Sequence, residues 1–332
     1  MSALENAKTY TGKNLETIFF RPMLSGPSAT ELGVRVLYNM PVPTTVQMWE
    51  PKENILQKFT SAGWSGDSVS KKLQKTIPLH RVKAEMGYSA ADYFSLVYEL
   101  ITNRADVNME DLTGTELEEA ETTLFRHAIA EAIRATMWVG DTDAESGYNT
   151  FDGFLKLALA YAKTVGFLTQ YSQDDISTPS KSVDIFNEVW VESNERLKSL
   201  KADGNLVYFV SADVYQAYEQ HLDSLGTEGA YQDYMNGRQT LSYHGIPVVD
   251  PNLYYYLSSL YGSKVIPQSF CILTDRRNLA LAVNTADFPG NEVRMWYNPD
   301  EMENRQRAVF MAGCEILDDA LISMAVREET LS

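Results

Sequence analysis

The chain has 332 residues and a formal net charge of −17 at pH 7. This length exceeds the size at which single hydrophobic cores usually stop growing, so two lobes are expected. The acidic balance argues against an electrostatic grip on nucleic acid, which needs clustered Lys and Arg. The sequence has neither an apolar run long enough to span a bilayer nor a secretory signal pattern at its N-terminus. We therefore expect a soluble chain made in the cytoplasm, with no membrane partner.

The positive charge is concentrated in one stretch. Between Pro51 and Lys83 the chain has seven cations and two anions, an excess of five, which leaves −22 on the remainder. The cations are Lys52, Lys58, Lys71, Lys72, Lys75, Arg81 and Lys83. Such a segment either pairs with the acidic surface of a second copy or forms a solvated basic loop, and charge alone leaves both open.

The first 88 residues read as two segments that need a neighbour. Residues 1–33 are broken by Gly and Pro yet contain Phe19 and Phe20, a pattern typical of an arm that buries apolar residues on another surface. Val34–Glu50 and Leu73–Tyr88 have strand character; Pro41 and Pro43 bar the first from a sheet centre, and the second contains Pro78. They predict a long two-stranded excursion with a loose tip, which is marginal in water without support.

The longest helical pattern runs from Thr115 to Gly140. Thr115 and Glu118 form a capping box, and apolar residues then recur every three or four positions. The spacing predicts a helix over residues 116–138, about 33 Å long at 1.5 Å per residue. We expect Leu124, Ile129 and Ile133 to be buried within the subunit.

The remaining patterns predict an α/β layer followed by a strand-rich return. Helices are expected over Ser89–Asn103, Phe154–Gly166, Val183–Lys201 and from Ser211 toward Leu222, and a buried strand over Asn205–Val210. Two short strands flank His244–Gly245, and a turn is expected at Tyr254–Tyr256. Ser269–Thr274 and Asn278–Asn284 are predicted to form a hairpin, and further strands are expected over Glu292–Tyr297 and Gln306–Val326.

The sequence offers little chemistry for an active site. It has no phosphate-binding loop, no GxGxxG, no nucleophile elbow and no metal-ligand spacing among its four histidines. Cys271 and Cys314 are expected to be buried free thiols. The pairs Asp141/Asp143, Asp174/Asp175 and Asp318/Asp319 could bind a cation, although neighbouring carboxylates are common on surfaces. An acidic, two-lobed enzyme that uses Asp141 and Asp143 with a divalent metal stays open as an alternative, while no catalytic residue and no cofactor are predicted.

The order of these segments resembles the major capsid proteins of tailed bacteriophages, which have the Hong Kong 97-like fold. The resemblance is carried by AIAEAIRATMWVGD followed by FDGFLKLA, by VYFVSADVYQAYEQHL, by GRQTLSYHGIPVVD, by FCILTDRRNLALAV and by AVFMAGCEILDDALISMAV. It spans nearly the whole chain, and each phrase alone is only weakly specific.

The resemblance implies an α+β fold with four parts. Residues 1–33 would be an N-terminal arm and 34–88 an extended β-hairpin loop. Residues 89–175 and 285–332 would form a peripheral domain with the spine helix, 116–138. Residues 176–284 would form the axial domain.

The resemblance also implies a structural protein rather than an enzyme. Copies would assemble into hexamers and pentamers that form the icosahedral head of a tailed phage around double-stranded DNA, without sequence-specific binding. The expected partners are a separate scaffolding protein, a portal and decoration proteins, and the expected location is the virion capsid, assembled in the host bacterial cytoplasm. An encapsulin-type nanocompartment shell is the alternative with the same fold. The candidate inter-subunit contacts are Phe19, Phe20, Lys52, Lys58, Lys71, Lys72 and Lys75.

Overall fold

The computed structural model describes residues 27–40, 44–50, 71–89, 116–224, 231–232, 240–259, 266–284, 294–298, 300–301 and 303–328. The predicted arm with Phe19 and Phe20, the ribbon tip with Lys52 and Lys58, and the helix Ser89–Asn103 lie almost entirely outside these residues. Within them, no helix is both long and apolar enough to cross a membrane.

The described residues form fourteen strands and seven α-helices. The strands are β1 (Arg35–Leu37), β2 (Thr44–Glu50), β3 (Lys71–Ile77), β4 (His80–Ser89), β5 (Leu168–Tyr171), β6 (Leu206–Val210), β7 (Tyr231–Gln232), β8 (Thr240–Tyr243), β9 (Ile246–Val249), β10 (Phe270–Asp275), β11 (Leu279–Val283), β12 (Arg294–Asn298), β13 (Glu303–Ile316) and β14 (Ile322–Arg327). The helices are α1 (Glu116–Val139), α2 (Phe154–Val165), α3 (Gln173–Ser177), α4 (Ser182–Glu192), α5 (Glu195–Ser199), α6 (Ala212–Ser224) and α7 (Tyr254–Ser259).

The predicted long helix is present as α1, which has 24 residues. Ile129 and Ile133 are buried as predicted, whereas the side chain of Leu124 lies outside the described part. All residues from Arg134 to Val139 are buried, so the last turns of the helix are surrounded by protein. Trp138 contacts Phe154 and Phe209 edge to face, at centroid distances of 5.6 and 5.1 Å. The end of α1 therefore packs against both α2 and a strand of the larger sheet.

A five-stranded sheet is built around the long strand β13. Strand β4 pairs antiparallel with one edge of β13, and β11 and β12 pair antiparallel with the other edge. Strand β1 lies parallel to β11. Ala308, Phe310 and Ala312 on β13 belong to the same hydrophobic core as Ile129 and Ile133, so one face of this sheet packs toward α1.

A seven-stranded sheet has the order β5-β14-β10-β6-β9-β8-β7 and is covered on both faces. Successive residues of β6 face opposite sides of the sheet. Val207 and Phe209 join the core that contains α1, while Tyr208 and Val210 join a second core. The second core includes Phe186 of α4 and Tyr218 of α6. Burial on both faces explains why β6 reads as a continuous apolar run.

The helix predicted over Val183–Lys201 is divided at Ser193 and Asn194 into α4 and α5. Three predictions about strands and turns are also wrong. Ser269–Asn284 is not a hairpin, because β10 pairs with β6 and β14 while β11 pairs with β1 and β13. The linking residues Arg276–Asn278 form a 3₁₀ turn, capped by the Asp275 carboxylate, that carries the chain from one sheet to the other. Tyr254–Tyr256 begins helix α7 instead of forming a turn.

The third error concerns Leu73–Tyr88, which is two strands divided at Pro78. Proline has no N–H to donate, which favours a break in the strand at this position. Consequently β3 stays in the ribbon with β2, whereas β4 joins the five-stranded sheet.

Both larger sheets combine strands from the ranges assigned above to the peripheral and axial domains. Strands β5 and β14, from the predicted peripheral ranges, join β6 and β10, and β11, from the predicted axial range, joins β13. The division into arm, loop, peripheral and axial ranges remains a proposal.

Candidate assembly surfaces

The ribbon of β2 and β3 is a two-stranded sheet of its own, which pairs from Thr44 and Ile77 at its base to Glu50 and Lys71. At the base, Ile77 is fully buried against Ala280, Ala282 and Leu317, with Val46 packed partly against them. The opposite face is exposed at Thr45, Gln47, Gln74 and Thr76. Because such a ribbon is marginal in water by itself, the part beyond its base needs another surface to lie on.

Lys75 connects the base of the ribbon to the body of the subunit. Its Nζ lies 3.9 Å from Glu315 Oε1 and 4.1 Å from the centroid of the Tyr161 ring. The Tyr161 hydroxyl donates a hydrogen bond of 2.7 Å to the same Glu315 oxygen. Burial and the nearby Glu315 carboxylate raise the pKa of Tyr161, so its hydroxyl keeps the proton that it donates. Lys75 therefore has partners within its own chain.

The corner between ribbon and sheet depends on a close backbone approach at Gly313. A Cβ atom at this position would lie 1.9 Å from the carbonyl oxygen of Pro78, which is far inside van der Waals contact. The next residues of the crossing strand pair with β13, beginning with His80 opposite Ala312. Glycine at position 313 thus lets the chain turn from β3 into β4 across β13.

The structure places only some of the predicted contact residues. Lys71 and Lys72 lie on β3, opposite Glu50 and Trp49 in the ribbon and beyond Lys75 from its base. Phe19, Phe20, Lys52 and Lys58 lie outside the described residues. The role of the seven candidates in contacts between subunits stays a prediction.

Sequence reasoning missed Glu315 and Tyr161, the residues that hold Lys75. They belong to β13 and α2, and only the assembled sheet brings them to the base of the ribbon. A Glu in the otherwise apolar second half of β13 was the one signal available, because a buried carboxylate requires a partner.

The carboxylates considered for a metal accept hydrogen bonds from a lysine. Lys156 Nζ donates to Asp141 Oδ1 at 2.7 Å, to Asp143 Oδ2 at 2.8 Å and to Asp152 Oδ1 at 2.8 Å. Burial opposes protonation of Lys156, but these three bonds outweigh it and hold its pKa above the ordinary value. The interpretation of Asp141 and Asp143 as metal ligands is therefore wrong, because an ammonium group already lies between them.

The other acidic pairs have local structural roles. Asp174 forms an ion pair of 2.7 Å with Lys181. Asp175 accepts from the backbone N–H of Ser172 in a capping box, and Asp318 accepts from Ala320 N. Among the residues that the structure describes, no group of three or more His, Cys, Asp or Glu side chains is placed to hold a metal ion.

The two cysteines are buried free thiols, as predicted. Cys271 lies on β10 and Cys314 on β13, in different sheets. Burial raises the pKa of both thiols, which keeps them protonated and unreactive.

No protein-family model matches the chain, and no curated protein matches it in sequence. Solved structures do match it over almost its full length. The capsid of Myoviridae phage XM1 covers 97% of this chain and 100% of that chain, with a TM-score of 0.57 and 11% identity. The chain has the Hong Kong 97-like fold.

Two further structures with this fold are similar to the chain. The capsid of the native GTA particle covers 98% of this chain and 99% of that chain, with a TM-score of 0.52 and 13% identity. The holo-SrpI encapsulin complex from Synechococcus elongatus PCC 7942 covers 96% of both, with a TM-score of 0.52 and 10% identity. The predicted α+β Hong Kong 97-like fold is thus confirmed, and the likeness extends over the whole chain rather than over one sheet.

Proposed function

We propose that this chain is the major capsid protein of a tailed bacteriophage. Copies assemble into hexamers and pentamers and form the icosahedral head that encloses double-stranded DNA. The observation that carries the proposal is the full-length likeness to capsid folds in a chain with a two-stranded ribbon whose base is pinned to its own subunit.

The ribbon supports assembly for a physical reason. Its base is fixed by Ile77 and by the contact of Lys75 with Glu315, so the direction in which it leaves the subunit is set before any neighbour binds. A preset direction lowers the ordering entropy that a contact between subunits must overcome. Modest contacts repeated around a closed shell then give large total stability.

The partners and location belong to the same proposal. A separate scaffolding protein, a portal and decoration proteins complete the head, which is assembled in the host bacterial cytoplasm and becomes the virion capsid. The acidic chain encloses DNA without recognising its sequence, since a net charge of −17 does not favour a tight grip on phosphates.

Electron microscopy of purified protein tests shell formation. The chain is produced alone and together with the scaffolding protein from the same genome, and we expect closed particles of uniform size in at least one of these preparations. Small monodisperse species under every condition of salt and concentration would contradict the proposal.

An encapsulin-type compartment is the second candidate, because the encapsulin complex matches the chain with the same TM-score as the GTA capsid. Particle contents separate the two. We expect particles recovered from infected cells to contain nuclease-resistant DNA. A protein cargo in stoichiometric amount, with no DNA, would favour the compartment.

The charge on the outer ribbon has a separate test. Lys71→Glu with Lys72→Glu should leave the isolated subunit folded but weaken assembly, and added salt should weaken assembly of the unmodified protein in the same direction. Lys75 is left unchanged because it holds the ribbon base. The matched control is Lys163→Glu with Arg196→Glu, two exposed cations on helices. Equal assembly of both variants would show that the ribbon charge is incidental.

A further inference from the structure

One face of the five-stranded sheet is basic although the chain as a whole is acidic. Strand alternation directs every second residue of β4, β12 and β13 to one face of the sheet. Five of these residues are cations, of which Arg305 is half-buried and Arg81, Lys83, Arg294 and Arg307 are exposed. The intervening residues, such as Val82, Ala308 and Phe310, are buried toward α1. We call the exposed side the basic sheet face.

Carboxylates neutralise only part of this charge. Glu85 lies 2.6 Å from both Lys83 and Arg307, and Arg305 pairs with Glu301 and Glu303. Within the described residues, Arg81 and Arg294 form no ion pair. Five cations against these three carboxylates give the face an excess of two positive charges. Because the whole chain has a net charge of −17, the residues outside these eight sum to −19.

The basic sheet face also presents apolar surface. Trp296 is 38% exposed and Val309 is 49% exposed, two of the few large apolar side chains at the described surface. The guanidinium of Arg307 stacks on Trp296, with its carbon 5.5 Å from the ring centroid. Trp and Arg are the residue types enriched at the energetic centres of protein interfaces.

We propose that the basic sheet face docks on the acidic surface of a second copy of this chain within the shell, an inference that rests on the proposed function. The partner follows from charge complementarity, because each further copy presents a strongly negative remainder. Nucleic acid is a poorer fit, since an excess of two charges gives a weak hold on a polyanion that the other −19 repels.

Thiol reactivity tests whether the face is covered on assembly. Both native cysteines are buried, so Val309→Cys introduces an accessible thiol on the basic sheet face. We expect a thiol reagent to modify this cysteine rapidly in the free subunit and at least about tenfold more slowly in shells, since a docked face excludes the reagent. Val191→Cys, at a position 56% exposed on α4, verifies the activity of the reagent on the free subunit.

Two results would overturn the inference. Equal reactivity at position 309 in shells and free subunits would show that the face stays open. A cysteine already protected in the free subunit would show that a segment of the same chain covers it. Failure of the unmodified protein to form shells would instead reject the proposed function, so the two failures are distinguishable.

Charge reversal tests the chemistry of the partner. Arg294→Glu with Arg307→Glu should raise the critical concentration for assembly by about tenfold, because two attractive contacts become repulsive. Lys163→Glu with Arg196→Glu makes the same change in net charge away from the face and should alter it less than about twofold. A cooperative urea-unfolding transition of each isolated variant verifies that the variant is folded before assembly. Equal effects of the two variants would overturn the inference.

Gel-shift titration with double-stranded DNA tests the remaining alternative, in which the basic sheet face binds nucleic acid. We expect the free subunit to show no binding at physiological salt. DNA binding that Arg294→Glu with Arg307→Glu abolishes would overturn the inference and assign the face to nucleic acid.

Discussion

Replacing Lys156 with Met should show how strongly the turn after α1 depends on a single ammonium group. Lys156 donates to three carboxylates, of which Asp141 has a side chain only 4% exposed and Asp143 one that is 82% exposed. Removing one partner of a buried ion pair costs about 3–5 kcal/mol, because the other charge stays buried. The exposed pair adds less than about 1 kcal/mol. We therefore expect a loss of about 3 kcal/mol, most of it from Asp141.

Thermal and urea unfolding of the isolated subunit measure this loss. A loss of about 3 kcal/mol lowers Tm by roughly 6–12 °C in a domain of about 200 residues, and the fall should be smaller in this chain of 332 residues because the entropy of unfolding grows with length. Lys163→Met, at an exposed position on the same helix, is the matched control and should change stability by less than about 0.5 kcal/mol.

Asp141→Asn gives the same variant a second readout. Lys156→Met leaves the buried Asp141 carboxylate without its ammonium partner. Adding Asp141→Asn removes this unpaired charge and should restore part of the lost stability. A loss below about 1 kcal/mol for Lys156→Met would refute the assignment of Lys156 as the organising group of this turn.

Three further predictions concern the ribbon corner and the same turn. Gly313→Ala should destabilise the subunit by about 2 kcal/mol or more in urea unfolding, because the new Cβ would lie 1.9 Å from the Pro78 oxygen. Gly87→Ala is the control and should be nearly neutral, because the atom nearest to its new Cβ would be 3.5 Å away. Lys75→Met should lower assembly yield while changing subunit stability by about 1 kcal/mol or less, and an unchanged yield would mean that the ribbon direction is set elsewhere. Burial raises the pKa of Asp152, but Lys156 and Thr142 outweigh it and hold that pKa below the ordinary value. The stability that the ionised Asp152 contributes should therefore be lost as the pH falls through its folded pKa. Asp152→Asn should weaken the dependence of the free energy of unfolding on pH in this acid range.

Elements with a strong local signal could be predicted from the sequence. Helix α1 follows from its apolar spacing, and the strands β8 and β9 follow from the turn between them. His244 and Gly245 both have positive φ, at 49° and 81°, which is the backbone that a tight two-residue hairpin requires. In these cases the residues that decide the structure are neighbours in the chain.

The pairing of strands could not be predicted, because it depends on residues far apart in sequence. Strands β10 and β11 are both entirely buried and are separated by a short polar link, a pattern that fits a hairpin equally well. The choice is made by the partners, since β6 and β14 flank β10 whereas β1 and β13 flank β11. Asn278 strengthens the actual arrangement by accepting from Asp318 N and donating to Asp318 O. Its amide would not have been recognised as a tether without the fold.

The positive stretch between Pro51 and Lys83 shows why charge along a sequence does not define a surface. Lys75 points to Glu315 at the ribbon base, Lys83 lies on the basic sheet face, and Lys71 lies further along the ribbon. The ribbon and the basic sheet face belong to different sheets, so the proposal makes them separate docking surfaces. Charge reversals at Lys71 and Lys72 and at Arg294 and Arg307 should therefore have additive effects on the logarithm of the critical concentration. A combined effect well below the sum would mean that both surfaces serve one contact.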